Sequence, residues 1–406
     1  MEVQEAKPPG ERAAARPDGA EMSHKDLHAE MVTWRRHLHA HPETGFEEHG
    51  TAAFVAGLLR DFGLEVVTGV GGTGVVGTLR NGRGRRTIAL RADMDALLIQ
   101  EHGDRPHRSC IPGRMHACGH DGHTAALLGV AASLAAAPDF DGTVHVLFQP
   151  AEEHGRGMLA MLADGLLARF PMDEAYGFHN LPGAPLGWFG TRCGSVMAAE
   201  DNFEITVTGR GGHAARPHMV VDPILAGSAV VLALQQVVSR RLDPVDPAVV
   251  SVTEFLTDGT RNVIPTTVRI RGDCRSFRPE VSAAIEAELR RIAEATALAH
   301  GATAQLSYSR EFVPTVNAPG PTAAALRAAR ETFKAGAVDG EAAPIMGSED
   351  FAQLLAHVPG NFAFIGNGTD SAPLHNPEYD FADAALPGIV AYFRALVRDR
   401  LHGGEA

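Results

Sequence analysis

The sequence predicts an α/β protein: a mixed, mostly parallel sheet flanked by helices, with a ferredoxin-like βαββαβ unit inserted into it. Three observations carry this. Strands alternate with helices from about residue 64 to residue 178, the pattern of a parallel layer. Between about residues 202 and 309 the order becomes strand, helix, strand, strand, helix, strand, which is the ferredoxin-like order. Beyond about Val313 the alternating pattern resumes, so the middle unit reads as an insertion.

Taken in order, Ser23 and Asp26 have capping-box spacing, and Leu27, Met31, Trp34 and Leu38 then mark one helical face. A second helix covers 51–62 and stops at Gly63. Strands follow at 64–68, 74–79 and 87–91, then a helix at 123–137, a strand at 144–149, a helix at 157–167 and a strand at 175–178. The inserted unit has strands at 202–208, 249–255, 267–274 and 303–309, and helices at 222–240 and 280–300. Helices at 322–334, 350–357 and 382–401 and a strand at 362–365 complete the chain. The expected partition is a disordered leader over 1–22, one domain from 23–198 and 313–406, and an inserted domain over 199–312.

Composition narrows the function. Apolar residues make up 45% of the 406 and charged residues 21%, enough for a packed core. The net charge of −13 repels phosphate backbones and anionic membranes, so neither nucleic acid nor membrane is an expected partner. The arginine-rich run from Arg80 to Arg86 also holds Asn81, Gly82 and Gly84, and reads as a solvated hairpin loop. No apolar stretch reaches the roughly 18 residues needed to span a bilayer. Four cysteines are too few for a disulfide framework in a chain this long, which points to a reducing, cytoplasmic setting. The 20 histidines are the unusual feature, and several cluster.

The densest cluster is His116-Ala-Cys118-Gly-His120-Asp-Gly-His123. Thiolate and imidazole two residues apart can hold one first-row divalent ion or two adjacent ones. The bland reading is a histidine-rich loop around a buried cysteine. His116 and His123 exceed what two ions need from one loop, and their roles stay open. Glu152 and Glu153 follow a buried strand, at the end where open α/β sheets place their sites. One carboxylate of such a pair can ligate a metal while its neighbour faces the water, although an isolated Glu-Glu is usually just solvated. His179 closes another strand, and His375 lies in a loop after Gly366-Asn-Gly368. Cys118, His120, Glu153, His179 and His375 together are too many donors for one tetrahedral zinc and suit two ions that share ligands.

These residues resemble the M20 peptidase family, most closely its amidohydrolase branch of hippurate hydrolases, N-acyl-amino-acid amidohydrolases and indole-acetyl-amino-acid hydrolases. The matching stretches are Arg91-Ala-Asp-Met-Asp-Ala-Leu97, Met115-His-Ala-Cys-Gly-His-Asp-Gly-His-Thr124, Gln149-Pro-Ala-Glu-Glu153, Gly177-Phe-His-Asn180, Gly211-Gly-His-Ala214 with Pro217-His218 and Asp222-Pro223, Asn262-Val-Ile-Pro265, Met346-Gly-Ser-Glu-Asp-Phe351 and Leu374-His-Asn-Pro377. They keep the family's order over nearly the whole chain. The resemblance implies a two-metal catalytic domain whose inserted unit is a lid and dimerisation domain. It implies that Cys118, His120, Glu153, His179 and His375 ligate two divalent ions per subunit (zinc, manganese, cobalt or nickel), with Glu152 as general base. It places Asp95 behind the ligands. It implies that His213 reaches a neighbouring subunit's site in a homodimer and steadies an oxyanion, and that Asn262 and Arg275 hold the substrate. Without the resemblance His213 and Asn262 are turn residues, Asp95 is a turn aspartate at a strand end and Arg275 is a strand-end arginine. His218 is left between a lid contact and a partner for Asp222. The chain departs from the pattern at Leu98, at His154-Gly-Arg156 and at Asp273-Cys274.

The function so implied is metal-dependent hydrolysis of the amide bond of a small N-acyl or N-aroyl amino acid. The alternatives are a metallo-dipeptidase or aminoacylase of the same family, or a non-catalytic ligand-binding protein on the same scaffold.

Overall fold

The computed structural model describes residues 24–402, so the expected leader over 1–22 and the Ser23 cap lie outside the described residues. Eight strands form one mixed sheet, in the order Glu65–Val70, Gly74–Asn81, Gly142–Gln149, Thr87–Asp93, Glu174–Leu181, Gly360–Gly366, Phe189–Gly190 and Val338–Asp339. The four consecutive strands from Gly142–Gln149 to Gly360–Gly366 run parallel. These strands are buried at nearly every position, which requires cover on both faces. One face carries the main core, built with helices His24–Ala40, His49–Asp61, His120–Ala136, Pro319–Thr332 and Leu386–Leu401. The other carries a smaller core around Met158, Met161, Leu166 and Phe351.

Helix His120–Ala136 is buried continuously from His120 to Leu134 and packs against both His24–Ala40 and Leu386–Leu401. A helix covered all round has no amphipathic stripe to read. It starts at His120, three residues before the expected start, because Gly119 takes a left-handed conformation (φ 102°) ahead of it. The first turn of this helix therefore belongs to the site.

Residues 199–312 build a second, antiparallel sheet in the order Ala248–Thr257, Thr267–Ser276, Ala199–Thr208 and Thr303–Phe312. Helices Pro223–Leu234 and Pro279–Ala299 pack on it around a core of its own, including Phe203, Ile205, Val207, Ile270, Ile285 and Leu289. Period-two alternation sends those strand residues to the helices and leaves Glu200, Glu204, Arg271, Asp273 and Arg275 on the opposite face.

Two local expectations are corrected. The Arg80–Arg86 run does not close a hairpin of adjacent strands, because Gly142–Gln149 lies between Gly74–Asn81 and Thr87–Asp93 and pairs with both. Asp141 fixes the loop instead, accepting from the backbone N–H groups of Arg83 and Gly84 at 2.6 Å each. The helix expected over 157–167 is broken into Gly157–Ala163 and Leu166–Arg169 by Gly165 at φ 82°. The strands Phe189–Gly190 and Val338–Asp339 are too short to leave a periodic signal.

His145, 4% exposed, lies on strand Gly142–Gln149 with its Nδ1 2.9 Å from the Thr78 hydroxyl. Burial, and then the charge of Arg80, lowers its pKa from 6.5 to about 4. The unfolded chain takes up this proton below about pH 6.5 and the folded chain does so only near pH 4, so stability present above 6.5 is lost as the pH falls. Urea denaturation at pH 7 and pH 5 should show this loss, to which His145 contributes about 2 kcal/mol at pH 5. In His145→Gln the pH 7 to pH 5 difference should shrink by that amount.

Candidate active site and metal centre

The parallel strands end on one side of the sheet, where crossover connections leave open ground. Asp93 ends Thr87–Asp93, the Glu152-Glu153 turn follows Gly142–Gln149, His179 lies near the end of Glu174–Leu181, and His375 comes from the loop after Gly360–Gly366. Helix His120–Ala136 points its N-terminus into the same space, with Cys118 just ahead of it, where the helix dipole favours a thiolate. Two left-handed non-glycine residues sit here, Ala151 (φ 49°) and His375 (φ 62°), each costing on the order of 1 kcal/mol to hold. A Cβ on Gly119 would collide with Asn180 and the Tyr379 hydroxyl, so only glycine lets Cys118 and His120 turn toward the same point.

Five expected ligands converge. The donor atoms of Cys118, His120 and His179 lie within 4.8 Å of one another, as do those of Cys118, Glu153 and His375 and those of His120, Glu152 and Glu153. Cys118 Sγ is 3.3 Å from His179 Nε2, and Glu153 Oε2 is 3.5 Å from His375 Nε2. Two imidazoles are oriented from behind. His179 Nδ1 is 2.7 Å from the Asn180 carbonyl, and His120 Nδ1 is 2.9 Å from the Asp95 carbonyl and 3.2 Å from its carboxylate. An N–H donated there leaves each Nε2 lone pair facing inward. His120 Nε2 and Glu153 Oε1 are buried and have no hydrogen-bond partner among the described residues. Burial, then the Glu153 and Glu152 charges, pushes the Cys118 thiol well above its ordinary value, and burial, then Glu349 and Glu153, pushes Glu152 well above the carboxylate range. Orphaned inward-facing donors and crowded negative charge are what divalent cations correct, since they deprotonate a thiol outright. The residues present fit two such ions, with Cys118 common to two of the donor groups.

Asp95 Oδ1 and Oδ2 accept from the backbone N–H groups of Glu152 and Glu153, both at 3.1 Å. One carboxylate thus fixes the paired-glutamate turn and the His120 ring together. His123, whose role the sequence leaves open, has Nδ1 2.7 Å from Asp93 and Nε2 2.7 Å from Asn180. Both nitrogens are engaged by protein groups. His116 is buried, with neither ring nitrogen bonded among the described residues.

Sequence reasoning gave no role to the charges beneath the site. Arg91 is fully buried, with Nη1 2.8 Å from Asp93, Nη2 2.8 Å from Glu349 and Nε 2.8 Å from Gln149. Burial opposes its charge, but Glu349, Asp93 and Asp350 more than offset this. An arginine inside the apolar run Thr87–Asp93 is the signal that was available. Arg35, on the first helix, is 1% exposed and reaches Asp380 (2.7 Å), Asp383 (2.8 Å) and Asp121 (3.5 Å), tying the segment that follows His375 to the helix that carries His120.

A cavity of about 380 Å³ is lined by Cys118, Glu152, Glu153, His179 and His375. Glu152 and Glu153 line one end, Met197, Phe312 and Ile345 give it apolar walls, and Glu200, Arg275 and Ser348 line another part. Gly155 lets the Phe312 ring approach the glutamate turn, since a Cβ there would come within 2.6 Å of it. Arg275 thus stands in the cavity. His213 and Asn262 do not line it: they lie exposed beside each other, His213 on the short strand Gly212–His213 paired with Val263–Ile264 and Asn262 just before that partner strand. His218 sits exposed in the turn Pro217–Met219, while the Asp222 carboxylate caps the next helix through Ile224 and Leu225 N–H.

Asp95→Ala removes the two bonds that hold the Glu152-Glu153 turn and the carboxylate contact to His120, leaving the backbone carbonyl that also meets the ring. Metal titration of the apo-protein should show affinity falling by about 10–100-fold, with the cooperative unfolding transition retained.

Comparison with known proteins identifies the family. The profile of peptidase family M20/M25/M40 matches residues 89–399. A hippurate hydrolase from Campylobacter jejuni is 38% identical over 371 residues, covering 91% of this chain and 96% of its own. An N-acetylcysteine deacetylase from Bacillus subtilis is 37% identical over 380 residues, covering 92% and 98%. The crystal structure of a dinuclear metal binding peptidase of the M20 family from Bacillus subtilis superposes with a TM-score of 0.81 at 33% identity, covering 93% of this chain and 99% of that one. With its Cys, His and Glu cluster at the strand ends and these relatives matched almost end to end, the chain belongs to peptidase family M20/M25/M40.

Proposed function

We propose that this protein is a two-metal amidohydrolase that cleaves the amide bond of N-acyl or N-aroyl amino acids, releasing a carboxylic acid and a free amino acid. The observation that carries the reading is a buried glutamate left over beside a complete ligand set: Glu152 lines the cavity next to Glu153, and a pure binding protein has no use for it. The hippurate hydrolase and N-acetylcysteine deacetylase relatives, by their names, act on substrates of this class.

We assign the ligands as Cys118, His120, Glu153, His179 and His375. Two divalent cations held there supply a polarised scissile carbonyl and a water of lowered pKa. Glu152 accepts the proton of that water as its oxygen bonds to the carbonyl carbon. Glu152 then returns the proton to the leaving nitrogen as the C–N bond breaks. Asp95 and Asn180 hold the ligand imidazoles in the required tautomer, and Arg275 holds the far end of the substrate. Thiolate favours zinc, while the carboxylate ligand also suits manganese.

We further assign residues 24–198 and 313–402 to the catalytic domain and 199–312 to a ferredoxin-like lid and dimerisation domain. The helix and strand order of 199–312, with strand order Ala248–Thr257, Thr267–Ser276, Ala199–Thr208, Thr303–Phe312, supports that assignment. A homodimer is supported by the edge strand Ala248–Thr257, which exposes Phe255 and Leu256, and by Leu225 and Leu232 on the adjoining helix, 60% and 74% exposed. In such a dimer the partner subunit's His213 and the partner's Asn262 complete the site, which accounts for their position outside the cavity of their own chain. No helix among the described residues is long and apolar enough to cross a membrane, and a cytoplasmic location is proposed from the four free cysteines.

Glu152→Gln should keep close to two metal ions per chain and lose turnover of N-acyl amino acids by about 10²–10⁴-fold; full activity with metal retained would remove the assigned base. His213→Ala should lower kcat by about 10²–10³-fold without metal loss. Mixing His213→Ala with Glu152→Gln protein should restore part of the activity if the contact crosses subunits.

A further inference from the structure

We infer that Glu200 and Asp273 are specificity-setting residues, which compete with the substrate for Arg275 and thereby weaken the cavity's selection for a free carboxylate. The inference rests on the amidohydrolase reading above and deepens it: the substrate class widens from N-acyl amino acids to their neutral α-amides.

Arg275 is the one arginine or lysine among the cavity's lining residues, so it is the group that would reward a substrate carboxylate. All three of its nitrogens are already occupied. Nε is 3.0 Å from Asp273, Nη1 donates to the Ser348 hydroxyl at 3.0 Å, and Nη2 is 2.8 Å from Glu200. Ser348 in turn donates to the same Glu200 oxygen at 2.9 Å.

The backbone builds this arrangement. Asp273 and Arg275 are two apart on strand Thr267–Ser276 and so share a face. Cross-strand register places Glu200 directly opposite Arg275. Ser348 reaches in from the loop before Glu349, the residue that Arg91 holds. Two carboxylates against one guanidinium leave a local net charge of −1.

Bidentate recognition of a carboxylate needs two parallel N–H groups on one edge of the guanidinium. Here the Nη1–Nη2 edge is shared by Ser348 and Glu200. An incoming carboxylate exchanges one anion for another and meets the repulsion of Asp273, so it gains little. A neutral carbonyl can accept a remaining Nη hydrogen without expelling Glu200.

The test is calorimetric titration of the metal-loaded Glu152→Gln protein, which should hold ligands without turning them over. The probes are N-benzoylglycine and N-benzoylglycinamide, with Glu200→Gln or Asp273→Asn added separately. The two parent Kd values should lie within about tenfold of each other, and each neutralising change should tighten the carboxylate relative to the amide by about fivefold, the size of one unit-charge interaction in water at 4 Å. A purely structural role would weaken both ligands together and leave their ratio unmoved. The inference is overturned if both variants keep the ratio within about twofold of the parent, or if the parent prefers the carboxylate by more than about a hundredfold. If neither probe binds any of the proteins, the substrate reading fails and this inference falls with it. If both bind and the ratio is fixed, only this inference falls.

Discussion

Arg91 is buried to zero exposure in the central strand Thr87–Asp93, and it faces Asp93, Glu349 and Asp350. A lone guanidinium in such a place would cost several kcal/mol, and so would three unpaired carboxylates. Together they form a hydrogen-bonded block that joins two distant parts of the chain, since the Arg91–Glu349 contact spans 258 residues. The block fixes where the loop carrying Ser348 and Glu349 sits, and so where one wall of the cavity sits. It also consumes the central positive charge. Glu153 and Cys118 have histidines within reach, and Glu152 is crowded by Glu153, Glu349 and Asp350. That imbalance gives the site its affinity for cations.

The oriented histidines follow from the same geometry. The Asp95 and Asn180 carbonyls stand at the ends of neighbouring strands and meet His120 and His179 from behind. Because the strands are parallel, their ends arrive on one side, and a short turn after each suffices to deliver a donor. The strained conformations of Ala151 and His375 and the glycine at 119 are the local costs of bringing the turns this close. Arg35 and Tyr379 supply the distant anchors: Arg35 joins Asp380 to the helix start, and Asn180 donates to the Tyr379 hydroxyl at 2.6 Å.

The cavity draws on both sheets. Glu152 and Glu153 come from the large sheet's side, whereas Glu200, Arg275 and Phe312 come from strand ends of the second sheet. The cavity lining is therefore supplied by two separate parts of the chain.

The chain's local chemistry was legible in the sequence. Alternating strands and helices, the histidine cluster around Cys118 and the adjacent glutamates each occupy a few consecutive residues, and such spans carry their signal in spacing and side-chain type alone. What depended on distant segments was not legible. The inward aim of Glu152, the pairing of Arg91 with Glu349, the tie from Arg35 to the His375 segment and the triple engagement of Arg275 all join residues that only the folded sheets bring together. Helix His120–Ala136 hid its start for a related reason: buried on every side, it had no polar face to mark where it began. Sequence fixes which donors exist, but the direction of a side chain is decided by the strand register and packing around it.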